Sequence, residues 1–202
     1  MNMNTQQMKN GEKYMAQNSN MNILEAQIRE LFGRTVWTHK TQEKCADILN
    51  SRNHTIKVIQ IILSGLTTTG IFISVFGDND IIGIISALIS TTLLILTTYI
   101  KNYNLGQLAQ KHSDAAIKLW NIREKYLSLL TDIKIDALTE EAVRQQRDSL
   151  QKELFSVYKG AERTISKAYN EATKALKENE ELTFSDEEID KFLPEKLRKG
   201  NK

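Results

Sequence analysis

VIQIILSGLTTTGIFISVFG (58–77) is followed, after Asp78-Asn79-Asp80, by IIGIISALISTTLLILTTYI (81–100). Each stretch has 20 residues, no charge and 11 Ile, Leu, Val or Phe. At about 1.5 Å per residue, a helix of this length reaches about 30 Å, the depth of a bilayer's hydrocarbon core. The aliphatic and Phe side chains contribute roughly −3 to −6 kcal/mol per span to insertion, whereas one central Lys or Asp would cost about +3 kcal/mol. A pair of buried core helices in a soluble protein would also be apolar. Two equal uncharged stretches joined by three residues instead predict a two-span membrane hairpin. The first stretch starts at residue 58, behind a long polar segment, which is not the layout of a cleaved signal sequence.

The remainder of the 202 residues balances 27 Lys+Arg against 25 Asp+Glu, for a net charge of +2. That balance excludes a strongly basic nucleic-acid binder. One cysteine, Cys45, excludes an intrachain disulfide framework and a multi-thiolate metal site. The only proline is Pro194, so most of the chain is free of the strongest helix breaker, and an all-α fold is expected. The mean hydropathy of −0.39 averages a membrane hairpin with polar flanks and conceals both.

Lys40, Lys44, Arg52 and Lys57 precede the first span, and Lys101, Lys111 and Lys118 follow the second. The connector 78–80 holds two aspartates and no cation. By the positive-inside rule both termini are expected in the cytoplasm, in a multi-pass protein of the inner (cell) membrane. Tyr99 and Tyr103 fall at headgroup depth, and Cys45 falls in a reducing compartment, where it reads as a small apolar residue.

Residues 1–21 are rich in Asn, Gln and Met without apolar period, and are expected to be disordered. A cytoplasmic helix is predicted over 22–57, opened by Asn22 and Glu25 as a capping box. Its stripe, Leu24, Ile28, Leu31, Thr35, Thr38, Gln42, Cys45, Leu49, Arg52 and Ile56, is only partly apolar, and Gly33 interrupts its pattern. Beyond the spans, residues 101–178 predict a helical bundle. Leu105, Leu108, His112, Ala115, Leu119, Ile122, Tyr126, Leu129 and Ile133 form a heptad seam. Thr139 caps another helix, with seam Val143, Leu150, Leu154, Val157, Ala161, Ile165, Ala168, Ala172 and Leu176. Residues 179–202 read as an acidic linker, a short helix capped by Ser185 and Glu188, and a basic tail. The expected architecture is a transmembrane helical hairpin extended into a cytoplasmic antiparallel helical bundle. The heptad residues, with Leu105, Leu108, His112, Leu119, Ile122, Tyr126 and Leu129 foremost, are the candidate seam of a homo-oligomer.

No signature of chemistry stands out. Gly65 and Gly70 have the interval of a phosphate loop, but Ile71 occupies the place of the required Lys, within the membrane. HExxH, GxSxG, CxxC and GxGxxG are lacking. His39, His54 and His112 have no second His or Cys at i+3 or i+4, and Trp37 and Trp120 read as packing anchors. The Asp78–Asp80 pair reads as a solvated turn. An enzyme, a metal site and a cofactor are therefore not expected. More informative are the hydroxyls at the span midpoints, Thr67, Thr68 and Thr69 facing Ser90, Thr91 and Thr92 at one depth. Two readings of them stand. They bond to their own or a neighbouring helix, or they line a pore in an oligomer.

The order of parts resembles the bacterial SMODS and SLOG-associating two-transmembrane effector family, SLATT. The resemblance is carried by VWTHKTQEKCADIL (36–49), the paired spans, and AQKHSDAAIKLWNIREKYLSLL (109–130), and extends over about residues 22–178. It implies a membrane effector of bacterial antiphage and conflict systems that oligomerises into a pore or disrupts the membrane. The implied trigger is a nucleotide second-messenger pathway, through a nucleotidyltransferase-derived cyclic nucleotide or a neighbouring sensor protein. The implied partners are thus the lipid bilayer and further copies of the chain, with no nucleic acid. The alternative is a passive membrane-anchored scaffold or adaptor whose bundle docks a partner protein.

Overall fold

The computed structural model describes residues 3–77 and 80–199, with side chains from Ser19 onward. Among these the chain is helical with no strand, as the proline-free composition predicts. The elements are α1 (Met3–Phe76), α2 (Asp80–Tyr103), α3 (Leu105–Lys134), α4 (Glu140–Gly160), α5 (Ser166–Lys177), α6 (Asp186–Phe192) and a 3-10 turn, Glu195–Leu197. The connector residues Asp78 and Asn79 lie outside the described residues.

The expected boundaries differ in two places. The polar segment 1–21, expected to be disordered, is helical from Met3, and Met1 and Asn2 lie outside the described residues. Asn22 and Glu25 therefore sit inside α1 rather than at its start, and Gly33 leaves the helix unbroken. Extending an existing helix needs no new nucleus, and Gln, Met, Lys, Glu and Ala are tolerant helix formers. The second difference is a break at 161–165, where one long helix was expected; α4 ends at Gly160 and Ala161 turns extended. The break is bound by α1: Gln42 Nε2 donates to the Glu162 carbonyl at 3.4 Å. A side-chain donor on α1 thus satisfies a carbonyl that helix continuation would otherwise use.

The other boundaries have local causes. Asn104 adopts φ 37°, ψ 57°, a left-handed conformation that Asn tolerates, and its side chain accepts from Gln107 N at 3.2 Å. This separates α2 from α3. Thr139 caps α4 through Ala142 N, and Ser185 with Glu188 forms a reciprocal capping box on α6.

α1 joins the two halves of the molecule. Its carboxy-terminal part pairs with α2, and its middle packs with α3, α4 and α5. Leu49 meets Leu105 and Ala109, and Leu24 and Ile28 meet the Leu119–Ile133 end, so α3 returns along α1. α4 adds Val143, Leu150 and Leu154 to the same core. α5 places Ala168 against Cys45 and Ile48, and the small Ala168, Ala172 and Ala175 allow close approach to α1. In the span region the burial reverses: only 6% of the most apolar window of either helix is buried. Ile61, Val75, Phe76 and Ile81 all turn outward. A continuous apolar surface of this kind belongs in lipid rather than water. The chain is a membrane protein.

Candidate functional site

The two spans meet along a line of small and polar residues. Gln60 Nε2 donates to Thr97 Oγ1 at 3.0 Å near the Lys57 end. Toward the connector, Gly70 faces Ser86 and Gly83 faces Ser74. A Cβ at Gly70 would overlap Ser86 Oγ and lie 3.3 Å from its Cβ, so the absence of a side chain sets the approach of the helices. Ser86 and Thr67 are the buried polar residues of this line.

The six midpoint hydroxyl residues divide accordingly. Thr67 is buried in the contact between the spans, whereas Thr68, Thr69, Ser90, Thr91 and Thr92 are exposed on the outside of the single hairpin. Thr67, Thr68, Thr69, Thr91 and Thr92 each donate to the carbonyl four residues back, at 2.8–3.0 Å. Each hydroxyl proton is thereby satisfied within its own helix, and both lone pairs of the oxygen stay available to accept. Gln60 went unnoticed in the sequence; its signal was a lone amide in an uncharged span.

Within the single chain the heptad residues pack inside the bundle. Leu105, His112, Leu119, Ile122, Tyr126 and Leu129 are buried and Leu108 is half-buried, all within one chain. They face Leu24, Ile28, Gln42 and Leu49 of α1 and Val143, Leu150 and Leu154 of α4. α1 and α4 supply the facing stripes in cis.

A polar row crosses this bundle. His112 Nδ1 donates to Gln42 Oε1 at 2.5 Å, and the Glu162 carboxylate accepts from Lys111 Nζ at 2.8 Å. Burial pushes the His112 pKa down, against the weaker opposing pull of Glu162, and favours the neutral ring. Burial raises the Cys45 thiol, with a backbone contact at Ile165 opposing, which keeps it unreactive. His39 Nε2 lies 3.4 Å from Glu43, while its Nδ1 is buried without a hydrogen-bond partner. Burial lowers its pKa and outweighs the carboxylate of Glu43. Burial works against charge on Lys40 too, yet hydrogen bonds to Glu181 (2.8 Å) and Glu43 (3.0 Å) hold its pKa above the usual value. Glu181 thereby pins the segment after α5 to α1.

α1 and α3 together wall an open groove. A cavity of about 470 Å³ opens there, walled by His39, Lys40, Glu43, Asp47 and Trp120 among others. Next to it, Leu182 and Thr183 cross a second cavity of about 420 Å³ over Phe32, Val36 and Leu127. Among the described residues no three His, Cys, Asp or Glu side chains gather as a metal site.

A family model described as SMODS and SLOG-associating 2TM effector domain family 4 matches residues 24–188. That match includes the α1 bundle segment, both spans, α3, α4, α5 and the start of α6. No curated protein and no solved structure matches the chain.

Proposed function

Given that the chain belongs to the SMODS and SLOG-associating 2TM effector domain family 4, we propose that it is a membrane effector of a bacterial antiphage or conflict system, rather than an enzyme. In this reading several copies assemble so that their hairpins open a water-filled path or disrupt the bilayer. The trigger is a nucleotide second-messenger pathway, acting on the bundle directly or through a neighbouring sensor protein. Both termini lie in the cytoplasm of a cell whose inner membrane holds the hairpin.

The observation that carries the proposal is the continuity of α1. One helix runs from the bundle core through the first span, so a shift of the bundle moves the hairpin without an intervening hinge. Two helices cannot enclose water by themselves, so conduction requires several copies. The outward hydroxyls of Thr68, Thr69, Ser90, Thr91 and Thr92 then face neighbouring hairpins or the path between them. The passive-anchor reading draws on a different fact: each of the five threonine hydroxyls already has an intrahelical acceptor.

Ion release from liposomes containing the purified protein separates the two readings. An effector releases trapped ions when cyclic nucleotides or the neighbouring sensor are added, or at high protein density. A protein that inserts, assembles and leaves every gradient intact under all these conditions is an anchor.

A further inference from the structure

The hairpin carries polar groups at its Lys57 end that the fold leaves unused. Lys57, Gln60, Ile61 and Ser64 share one side of α1 and, with Leu93 and Thr97 of α2, wall an open cavity of about 570 Å³ between the spans. One amide proton of Gln60 goes to Thr97 Oγ1, and the Thr97 hydroxyl donates to the Leu93 carbonyl. The second amide proton of Gln60, the Ser64 hydroxyl and the Lys57 ammonium have no acceptor among the described residues. Ser64 differs in this from Thr67, Thr68 and Thr69 just beyond it, whose hydroxyls bond back within α1. Gln60 and Ser64 stand about 4.5 and about 10.5 Å along the helix from Lys57. Both therefore fall within the apolar span, where a donor without an acceptor is costly.

No counter-charge is near in the chain. Residues 48–77 and 81–113 contain no Asp or Glu, but hold Arg52, Lys57, Lys101 and Lys111. Lys111 is paired with Glu162, whereas Lys57 has no ion pair among the described residues. A neighbouring hairpin of the same orientation would bring the same acid-free surface, so a second copy does not supply the missing anion.

We propose that the groove walled by Lys57, Gln60, Ser64, Leu93 and Thr97 binds one anionic glycerophospholipid. Such a lipid presents its groups in the order that the groove requires: phosphate at the water boundary, ester carbonyls below it, acyl chains deepest. Lys57 takes the phosphate, Gln60 and Ser64 donate to the ester carbonyls, and Ile61 and Leu93 line the chains. The site rests on the place of the hairpin in a membrane and not on the proposed effector activity.

The test uses the full chain in a neutral detergent, titrated with phosphatidylglycerol or phosphatidylcholine, with retained lipid counted by native mass spectrometry. Wild type should retain one phosphatidylglycerol per chain in preference to phosphatidylcholine. Lys57→Gln should weaken that retention about fivefold or more, the worth of one cation at a charged membrane surface. Lys101→Gln makes the same charge change on α2 outside the cavity wall and should leave retention near wild type. Ser64→Leu inserts at least as well as wild type, fills the groove and should also lose the lipid. Inorganic phosphate and glycerol phosphate carry the anion without the chains and should not displace it. Equal retention of the two lipids overturns the proposal, as does an equal loss in Lys57→Gln and Lys101→Gln, or a Ser64→Leu variant that binds like wild type. Displacement by either soluble phosphate at matched concentration overturns the lipid as occupant. Ion release without lipid preference counts against this site alone, and lipid preference without ion release counts against the effector reading alone.

Discussion

Tyr126 is fully buried in the bundle core, and its hydroxyl has no hydrogen-bond partner. Burial, with Tyr158 and Glu153 adding to it, pushes its pKa up to about 12, so the phenol stays neutral. An unsatisfied buried hydroxyl costs about 1–3 kcal/mol, and the ring around it gains far more by packing. Tyr126→Phe is therefore expected to leave stability unchanged or raise it by about 1 kcal/mol, while Tyr126→Ala lowers it by about 3–5 kcal/mol. Denaturant melting in detergent reads both, and a large loss in the Phe variant would reveal a partner for the hydroxyl. The buried histidines set a pH dependence. The folded pKa values of His39 and His112 both lie below the ordinary imidazole value of 6.5, so the unfolded chain binds protons first. Stability is then full above pH 6.5 and falls as the pH drops below it, by up to about 1.4 kcal/mol per unit for each ring. The groups facing His39 are Glu43, Lys40, Arg123 and Glu124, and those facing His112 are Gln42 and Glu162. Melting temperatures between pH 7.5 and about 5 should drop in wild type and flatten in a His39→Gln, His112→Gln variant. Glu162 and Glu181, whose pKa values are lowered chiefly by hydrogen bonds from Lys111 and Lys40, lose their contribution only in the more acidic carboxylate range.

At the scale of elements, the hairpin offers a comparison between two glycines five residues apart. Gly65 has open space where a Cβ would stand, but Gly70 has Ser86 there. Gly65→Ala should be silent or slightly stabilising, since Ala is the better helix former. Gly70→Ala should force the spans apart at a cost of about 1–3 kcal/mol, and Ser86→Gly should recover part of it. Disulfide trapping between Gln60→Cys and Thr97→Cys in the Cys45→Ala background measures the approach, because these side chains touch in the folded hairpin. Equal trapping in both glycine variants would mean that the helices do not meet along this line. The α4/α5 break belongs to the same scale. Its apolar period continues from Val157 through Ile165 to Ala168, so periodicity alone runs through it. The signal lay in Gly160 and in a stripe on α1 that carries Gln42 among apolar neighbours.

Considered as a whole molecule, the chain divides at the membrane boundary within single helices rather than between them. α1 is a core helix at Leu24–Leu49 and an exposed apolar helix toward Phe76, with no change of secondary structure. The cation bias around Lys57 and Lys101 predicts both ends on one side. Tags at either terminus should resist external protease in intact cells, while a protease site inserted at Asn79 should be cut. Cleavage of the terminal tags from outside would invert the topology and place the bundle on the exterior.

The all-α class, the paired spans and the caps at Thr139 and Ser185 were legible in the residues themselves, because each depends on local chemistry. A run of twenty uncharged residues has one favourable environment, and a helix start is written in the four residues that bond to it. The fate of the heptad seam was not legible. Leu119, Ile122 and Tyr126 ask for a facing stripe, and nothing local says whether that stripe comes from the same chain or another. The fold answers by bringing Leu24 and Ile28, about a hundred residues away, and Leu150 and Leu154 to the same core. In the same way, three consecutive threonines look alike in sequence, yet helical rotation buries Thr67 and exposes Thr68 and Thr69. Which polar group is inside depends on where the neighbouring helix lies, and long-range packing alone sets that.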